Sequence, residues 1–284
     1  MRFLVLGASG MAGHVISIYL KEQGHEVVGY SRRPVHNIDM ITGDARNTSL
    51  VKKVITEGMF DTVINAIGVL NGYAESDKET AIYLNGYLPH YLAKLTKNMN
   101  TQIIHMSTDC VFSGKMGPYT ETSFRDGETF YDRSKAIGEL EDNKNLTLRN
   151  SIVGPDINEN GIGLLNWFMK QDCKINGYTH AMWTGLTTLE LAKIMEAAAK
   201  EKAYGLVNMV YEDNISKYEL LKLFNKYLKN DSILINAYDE FILDKTLKRT
   251  NFEFNYRVPN YNTMVSEMAD WIFAHKNLYP HYML

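Results

Sequence analysis

Four apolar residues, Phe3-Leu4-Val5-Leu6, run directly into Gly7-Ala8-Ser9-Gly10-Met11-Ala12-Gly13, and a helical pattern continues to about Lys21. The order is strand, tight turn, helix, and few arrangements constrain a fold more. The first glycine permits the turn and the second lets the backbone approach a ligand. The third lets the helix pack on the strand, with its N-terminal N–H groups facing an anion. In the first βα unit of a chain this is a dinucleotide-binding pattern, with Gly7, Ser9, Gly10, Met11 and Gly13 around the pyrophosphate. The bland alternative is a glycine-rich connection in an ordinary α/β fold. A P-loop is excluded, because no Gly-Lys-Ser/Thr follows the turn.

The next strand, Glu26-Val27-Val28-Gly29-Tyr30, ends in Ser31-Arg32-Arg33, where an NAD-specific site usually carries an acidic residue for the ribose hydroxyls. Two guanidinium groups suit a ribose 2′-phosphate in charge and fork geometry, so the sequence favours NADPH and leaves NADH open. A solvated basic loop is the plainer reading.

The first half alternates strand and helix through short connections, which argues for a parallel sheet covered on both faces. Gly43-Asp44-Ala45-Arg46 precedes a helix from about Thr48 to Gly58, then come a strand Thr62–Ala66, a long helix from about Asp77 to Thr96, and a strand Gln102–Met106 ending in Ser107-Thr108-Asp109. Ligands in open α/β sheets bind at the carboxyl ends of strands, so Gly7, Asp44, Ala66, Gly68 and Thr108 should line one crevice. Gly, Pro and Asn between Ser151 and Gly163 mark where the chain leaves this unit. The expected organisation is a Rossmann-type doubly wound α/β unit over residues 1–150. A smaller, mainly substrate-binding α/β part covers 151–284, with segments from about 187 to 210, including strand Gly205–Val210, rejoining the main sheet. Helix starts at Thr187-x-x-Glu190 and Ser216-x-x-Glu219 read as capping boxes. Leu191, Ile194, Met195 and Ala198 share one helix face and read as core.

Downstream, Tyr131 and Lys135 stand four apart, one face of a helix if the segment is helical. A lysine cation beside a phenol favours phenolate and lowers its pKa toward the working range of an acid–base catalyst. With 18 tyrosines in the chain the pair alone is weak; its position after the glycine turn and Ser107-Thr108-Asp109 carries the weight.

Together, Gly7-x-x-Gly10-x-x-Gly13, Asn65-Ala66-Ile67-Gly68, Ser107-Thr108-Asp109 and Tyr131-x-x-x-Lys135 resemble the extended short-chain dehydrogenase/reductase family across nearly the whole chain. Ser107 to Gly114, Pro118-Tyr119-Thr120-Glu121 and Tyr131-x-x-Ser134-Lys135-x-x-Gly138-Glu139 are similar to its dTDP-4-dehydrorhamnose reductase branch. The resemblance implies reduction of the 4-keto group of a nucleotide-linked 6-deoxysugar, for surface polysaccharide or glycan precursors. It casts Tyr131 as proton donor to the carbonyl oxygen, Lys135 as holder of the nicotinamide ribose, and Thr108 as a second donor to that oxygen. It adds Ser31, Ala45, Ala66, Ile67, Gly68 and Ser107 to the cofactor site, Asp44 at the adenine amino group, and Asn85 as a cofactor-side structural or relay asparagine. The sugar side would comprise Asp109, Val111, Phe112, Asn150 and Trp183.

One departure concerns the sugar. Rhamnose-type reductases tend to carry an aromatic after the strand that follows the catalytic helix, and Arg149 to Pro155 has none. Trp183, in an aromatic-rich stretch, could stack on a sugar or base, or be core. Arg249 and Tyr261 could reach a diphosphate or serve the surface. The same fold also hosts epimerases, dehydratases and non-catalytic dinucleotide-binding regulatory subunits.

At 45% hydrophobic and a net charge of −3, the chain has no basic run to suggest nucleic acid, and no segment approaches the apolar length of a bilayer span. Arg2 before an apolar run has the outline of a secretion signal, but glycines interrupt it and no small-residue cleavage site follows. Cys110 and Cys173 fit a reducing cytoplasm, and no His or Cys spacing suggests a metal. A homodimer is compatible with the sequence.

Overall fold

The fold grows outward from the strand that precedes the glycine turn. In the computed structural model, which describes residues 1–282, β1 (Arg2–Leu6) leads through the turn into α1 (Met11–Glu22), then β2 (Glu26–Ser31), β3 (Asp39–Thr42), α2 (Thr48–Glu57) and β4 (Thr62–Asn65). Helices α3 (Asn71–Ser76) and α4 (Lys78–Ala81), a π-helical segment Ile82–Tyr87 and α5 (Leu88–Thr96) follow. Next come β5 (Gln102–Met106), a 3₁₀ turn Asp109–Val111, α6 (Phe130–Ile137) and β6 (Leu146–Arg149).

The remaining elements are β7 (Ser151–Val153), α7 (Leu164–Met169), β8 (Lys174–Trp183), β9 (Gly185–Thr187), α8 (Thr188–Glu201) and β10 (Gly205–Asn208). After them come β11 (Ile215–Ser216), α9 (Lys217–Leu228), β12 (Leu234–Asp244) and α10 (Tyr261–Ala274). The main sheet is parallel throughout, in the order β10-β6-β5-β4-β1-β2-β3. The chain winds away from β1 in both directions, so the switch point lies between β1 and β4, above the glycine turn. This is the doubly wound sheet the sequence implied.

Both faces of the sheet are covered, which is why its central strands read as near-continuous apolar runs. Phe3 and Val5 enter the core shared with α1, α8 and α10, while Leu4 and Leu6 enter the core under α2 and α5. Leu191, Ile194, Met195 and Ala198 of α8 are fully buried. β10, from the second half, pairs in parallel with β6 at the sheet's edge. A separate sheet, β11-β8-β12, and the short β7–β9 pair lie outside it.

Three local expectations are corrected. The helix expected over 77–96 is interrupted by the π-helical turn, which places Asn85 and Gly86 in its widened coil. At Thr187 and Ser216 only half of each capping box forms: the hydroxyls accept from Glu190 N and Glu219 N, but the Glu190 carboxylate is taken by Tyr256. The complete box is at Thr129 and Asp132, at the start of α6. Strand β3 and helix α3 were not visible in the sequence, the former because a four-residue edge strand with half its positions polar carries little periodicity.

The turn obeys its steric logic. Gly7 adopts φ +84°, and a Cβ there would lie 2.9 Å from the Ala66 carbonyl oxygen; at Gly13 a Cβ would fall 2.1 Å from the Gly7 oxygen. Gly13→Ala should therefore lower stability by about 1–3 kcal/mol in denaturant unfolding, the cost of overpacking against backbone. A loss below about 0.5 kcal/mol, the range of an ordinary surface substitution, would contradict the close packing.

Candidate active site

The carboxyl ends of the parallel strands collect the sequence-predicted residues in one crevice. Gly7 to Gly13 follow β1, Ser31 to Arg33 follow β2, Asp44 follows β3, Ala66 to Gly68 follow β4, and Ser107 to Asp109 follow β5. At the start of α1 no side chain caps the N–H groups of Met11, Ala12 and Gly13, and the first turn holds no acid. Gly10 is exposed, and a Cβ on Gly68 would meet only Asn85 Oδ1, at 3.7 Å. Free N–H donors and open glycine faces fit a dinucleotide pyrophosphate.

Arg32 and Arg33 are exposed, and the charge of Arg32 reaches Asp44. Asp44 pairs with Arg46, Nη2 to Oδ2 at 2.8 Å, and this hydrogen bond holds its carboxyl below the usual range despite some burial. Arg46 is thus a third guanidinium near Asp44, beside the charge of Arg32, that the sequence reading missed. Ser31 is buried with its hydroxyl bonded to the Arg33 carbonyl, and Ala45 turns its methyl into the core. Ala66 and Ile67 remain half-exposed at the end of β4.

Helix α6 presents Tyr131 and Lys135, both buried, on the face toward β5 and the 3₁₀ turn. Lys135 Nζ donates to the Met106 carbonyl at 2.6 Å, tying the helix to the end of β5. Burial lowers its pKa to about 8, with Glu139 pulling back. Burial first, then Cys110, pushes the Tyr131 phenol above its ordinary value, while the hydrogen bond with Thr108 pulls the other way. This reverses the expectation that Lys135 lowers the phenol: desolvation dominates, and the phenol stays protonated. Thr108 donates to Asp109 Oδ1 and accepts from Cys110 N, both at 3.2 Å. Asp109 is buried and its carboxyl raised by that burial, Lys217 and Lys245 opposing.

Asn85 acts as a brace. It accepts from Val69 N at 2.8 Å and donates to the Val69 carbonyl at 2.9 Å and to Ser134 Oγ at 3.0 Å, so the loop after β4 is locked to the catalytic helix. Gly138 makes that approach possible, since a Cβ there would lie 1.9 Å from the Asn85 carbonyl oxygen.

The sugar-side residues divide. Val111 and Phe112 are corrected: their side chains are fully buried in a small core with Tyr119, Val210 and Leu247, and Phe112 stacks on Tyr119 at 4.2 Å. Asn150 and Trp183 are buried, yet Asn150 Oδ1 and Trp183 Nε1 have no partner among the described residues. The diphosphate option for Arg249 and Tyr261 fails, because the guanidinium is spent on the carbonyls of Asn251, Phe254 and Tyr256 and the phenol on that of Asp213. Cys110 and Cys173 are unpaired, and no cluster suited to a metal ion occurs among the described residues.

Beneath the site lies an ion pair that sequence reading passed over. Arg149, with no exposed surface, donates Nε to Glu139 Oε1 at 2.8 Å, Nη2 to Oε2 at 2.7 Å and Nη1 to Asn208 Oδ1 at 3.1 Å. Ser107 Oγ donates to Glu139 Oε1 at 2.6 Å, and Phe112 lies under the guanidinium at 5.0 Å. Burial would raise the Glu139 carboxyl, but Arg149, Ser107 and Arg125 outweigh it and hold it below the usual range.

A sheet of this order, with a glycine-rich first turn and the Thr108, Tyr131, Lys135 set at the end of β5, defines an extended short-chain dehydrogenase/reductase. The family model described as the RmlD substrate binding domain matches residues 1–269, and the chain belongs to that family. Among curated relatives, the "Probable low-salt glycan biosynthesis reductase" of Haloferax volcanii is 36% identical over 143 residues, 49% of this chain and 48% of the relative. The dTDP-4-dehydrorhamnose reductase of Aggregatibacter actinomycetemcomitans is 32% identical over 140 residues, 49% and 45% of the two chains. The matched stretch spans about half the length of these relatives. The crystal structure of dTDP-4-dehydrorhamnose reductase from Bacillus anthracis in complex with NADP superposes with TM-score 0.79 at 18% identity, covering 94% of this chain and 98% of the other. That similarity establishes the fold.

Glu139→Gln leaves the buried Arg149 charge without its counter-ion and should cost about 3–5 kcal/mol of stability in denaturant unfolding. Because the folded Glu139 carboxyl is lowered from its usual 4.5, its contribution is fully present above that value and lost as pH falls through the folded pKa. The pH dependence of wild-type stability in the acid range should therefore flatten in the variant. An unchanged unfolding midpoint would refute the role of the pair.

Proposed function

We propose that the chain is an NADPH-dependent reductase of the 4-keto group of a nucleotide-linked 6-deoxysugar, of the dTDP-4-dehydrorhamnose reductase kind. It would act in the synthesis of precursors for surface polysaccharide or glycan. The observation that carries this reading is the convergence of Thr108, Tyr131 and Lys135 beyond the end of β5, at the same carboxyl end of the sheet as the glycine turn. The names of the curated relatives support the substrate class. The pair Arg32 and Arg33 supports NADPH over NADH, with NADH remaining usable. We assign residues 1–150 mainly to the cofactor and 151–284 mainly to the sugar nucleotide, with Asp109, Asn150 and Trp183 on the sugar side. Ser9, Met11, Ala66 and Gly68 flank the dinucleotide. No helix among the described residues is long and apolar enough to cross a membrane, and the unpaired cysteines suit the cytoplasm.

The N–H groups of the Gly7–Gly13 turn would hold the nicotinamide cofactor, which would supply hydride for the ketone carbon. The chain's own groups handle the oxygen. Tyr131, kept as a phenol by burial, gives its proton to the carbonyl oxygen as negative charge develops there. Thr108 turns its hydroxyl from Asp109 to the same oxygen and orients it. The Lys135 ammonium, anchored on the Met106 carbonyl, would hold the nicotinamide ribose and stabilises the phenolate left by proton transfer.

Tyr131→Phe removes the donor and little else. Turnover of NADPH with a 4-keto-6-deoxysugar nucleotide should fall by roughly 10²–10⁴-fold with NADPH affinity unchanged, and undiminished turnover would sink the mechanism. Replacing Arg32 and Arg33 together by Ala should weaken NADPH at least about tenfold more than NADH, as expected for loss of charge-assisted contacts to a 2′-phosphate. Equal losses, read as dissociation constants, would remove the 2′-phosphate assignment.

A further inference from the structure

His14, near the start of α1, has no exposed surface. An imidazole in a core costs free energy unless both of its nitrogens find partners. Here both do: Nδ1 lies 2.9 Å from the Gly10 carbonyl oxygen and Nε2 lies 2.9 Å from the Tyr279 hydroxyl. A carbonyl only accepts, so Nδ1 carries the proton, and in the neutral ring Nε2 accepts from Tyr279. Burial keeps the ring neutral, lowering its pKa to about 4. Tyr279 in turn accepts from Trp271 Nε1 at 3.3 Å. Its ring stacks on Tyr282 with centroids 5.4 Å apart, and the Tyr282 hydroxyl accepts from Asp156 N at 2.9 Å. The bonds run in one direction, from Trp271 to Tyr279, from Tyr279 to His14 and from His14 to Gly10.

The last acceptor did not need its bond. Gly10 O already accepts from the His14 backbone N at 3.1 Å, so the side chain adds a second donor to a satisfied carbonyl. Its effect falls on the other end of the same peptide unit. The peptide is planar and trans, so the Met11 N–H points away from the Gly10 oxygen, and it is one of the donors at the start of α1 that no side chain caps. Hydrogen bonds in a chain polarise one another, so a doubly engaged carbonyl makes that N–H a stronger and more firmly aimed donor.

We propose that His14 is a positioning residue for the cofactor: backed by Tyr279 and Trp271, it polarises the Met11 N–H and aims it at the dinucleotide pyrophosphate. The inference rests on the dinucleotide reading of the glycine turn and extends it to residues in and beyond α10. It is independent of which sugar is reduced.

Calorimetric titration of the full chain with NADPH, NADH and 2′-AMP tests the assignment, because 2′-AMP carries the 2′-phosphate and adenine but no pyrophosphate. His14→Leu should weaken NADPH and NADH by a similar factor, roughly tenfold, as for one hydrogen bond to a charged group, and leave 2′-AMP affinity unchanged. Tyr279→Phe keeps the ring and its stack on Tyr282 and removes only the hydroxyl. It should weaken both dinucleotides by about threefold or more, the loss of a neutral hydrogen bond, again sparing 2′-AMP, and it keeps the test independent of how the His14 variants fold. His14→Asn, whose amide can still donate to the Gly10 carbonyl, should recover most of what His14→Leu loses. Unchanged dinucleotide affinity in Tyr279→Phe and His14→Leu, equal losses for NADPH and 2′-AMP, or an Asn variant no better than Leu would each overturn the positioning role. Failure of the wild type to bind NADPH would instead remove the dinucleotide reading, and the inference with it.

Discussion

A guanidinium without exposed surface, Arg149, and a carboxylate almost as deeply buried, Glu139, sit beneath the crevice and hold four pieces of chain together. Glu139 follows helix α6, Arg149 ends β6, Ser107 follows β5 and Asn208 ends β10. The pair is bidentate and its remaining capacity is taken up by Ser107, Asn208 and the Phe112 face, the condition under which a buried ion pair is tolerated. Its geometric consequence is that the strand bearing Thr108 and the helix bearing Tyr131 are tied to one anchor. Lys135 adds a second tie from the same helix to β5 through the Met106 carbonyl, and Asn85 a third to the loop after β4. Thr108, Tyr131 and Lys135 are therefore held at the carboxyl end of the sheet by a buried polar framework.

That framework explains the electrostatic character of the site. Tyr131 and Lys135 lie in the same desolvated layer, and burial acts on both in the direction of the neutral form: the phenol keeps its proton more tightly and the ammonium holds its proton less tightly, near a pKa of about 8. A protonated phenol is the form needed to donate to a ketone. In the proposed mechanism the Lys135 charge matters after the proton has left, when the phenolate must be stabilised. A site that reduces has a use for this ordering, because the acid is loaded before the substrate oxygen becomes basic.

Much of this was legible in the chain and some was not, for physical reasons. The glycine turn, the parallel strands and the crevice at their carboxyl ends follow from local sterics and from apolar runs with short connections, which act over a few residues and leave a clear pattern. The role of Gly138 shows only in three dimensions, where its missing Cβ admits the Asn85 carbonyl. The Glu139–Arg149 pair joins residues ten apart across a strand boundary, and opposite charges at that spacing look like any surface pair until their burial is known. Phe112 is an aromatic next to a catalytic motif, which made it a plausible sugar contact, yet the ring is spent on Tyr119 and Arg149.

In the proposed reaction, hydride passes to the ketone carbon of a nucleotide-linked sugar in this crevice. The most direct measurement is mass analysis of the sugar product formed from NADPH carrying deuterium at the transferable position of its nicotinamide, with dTDP-4-keto-6-deoxysugar as acceptor. One deuterium on carbon 4 of the product sugar is the expected result. Product formed without label, or oxidation of the cofactor with no change in the sugar, would contradict it.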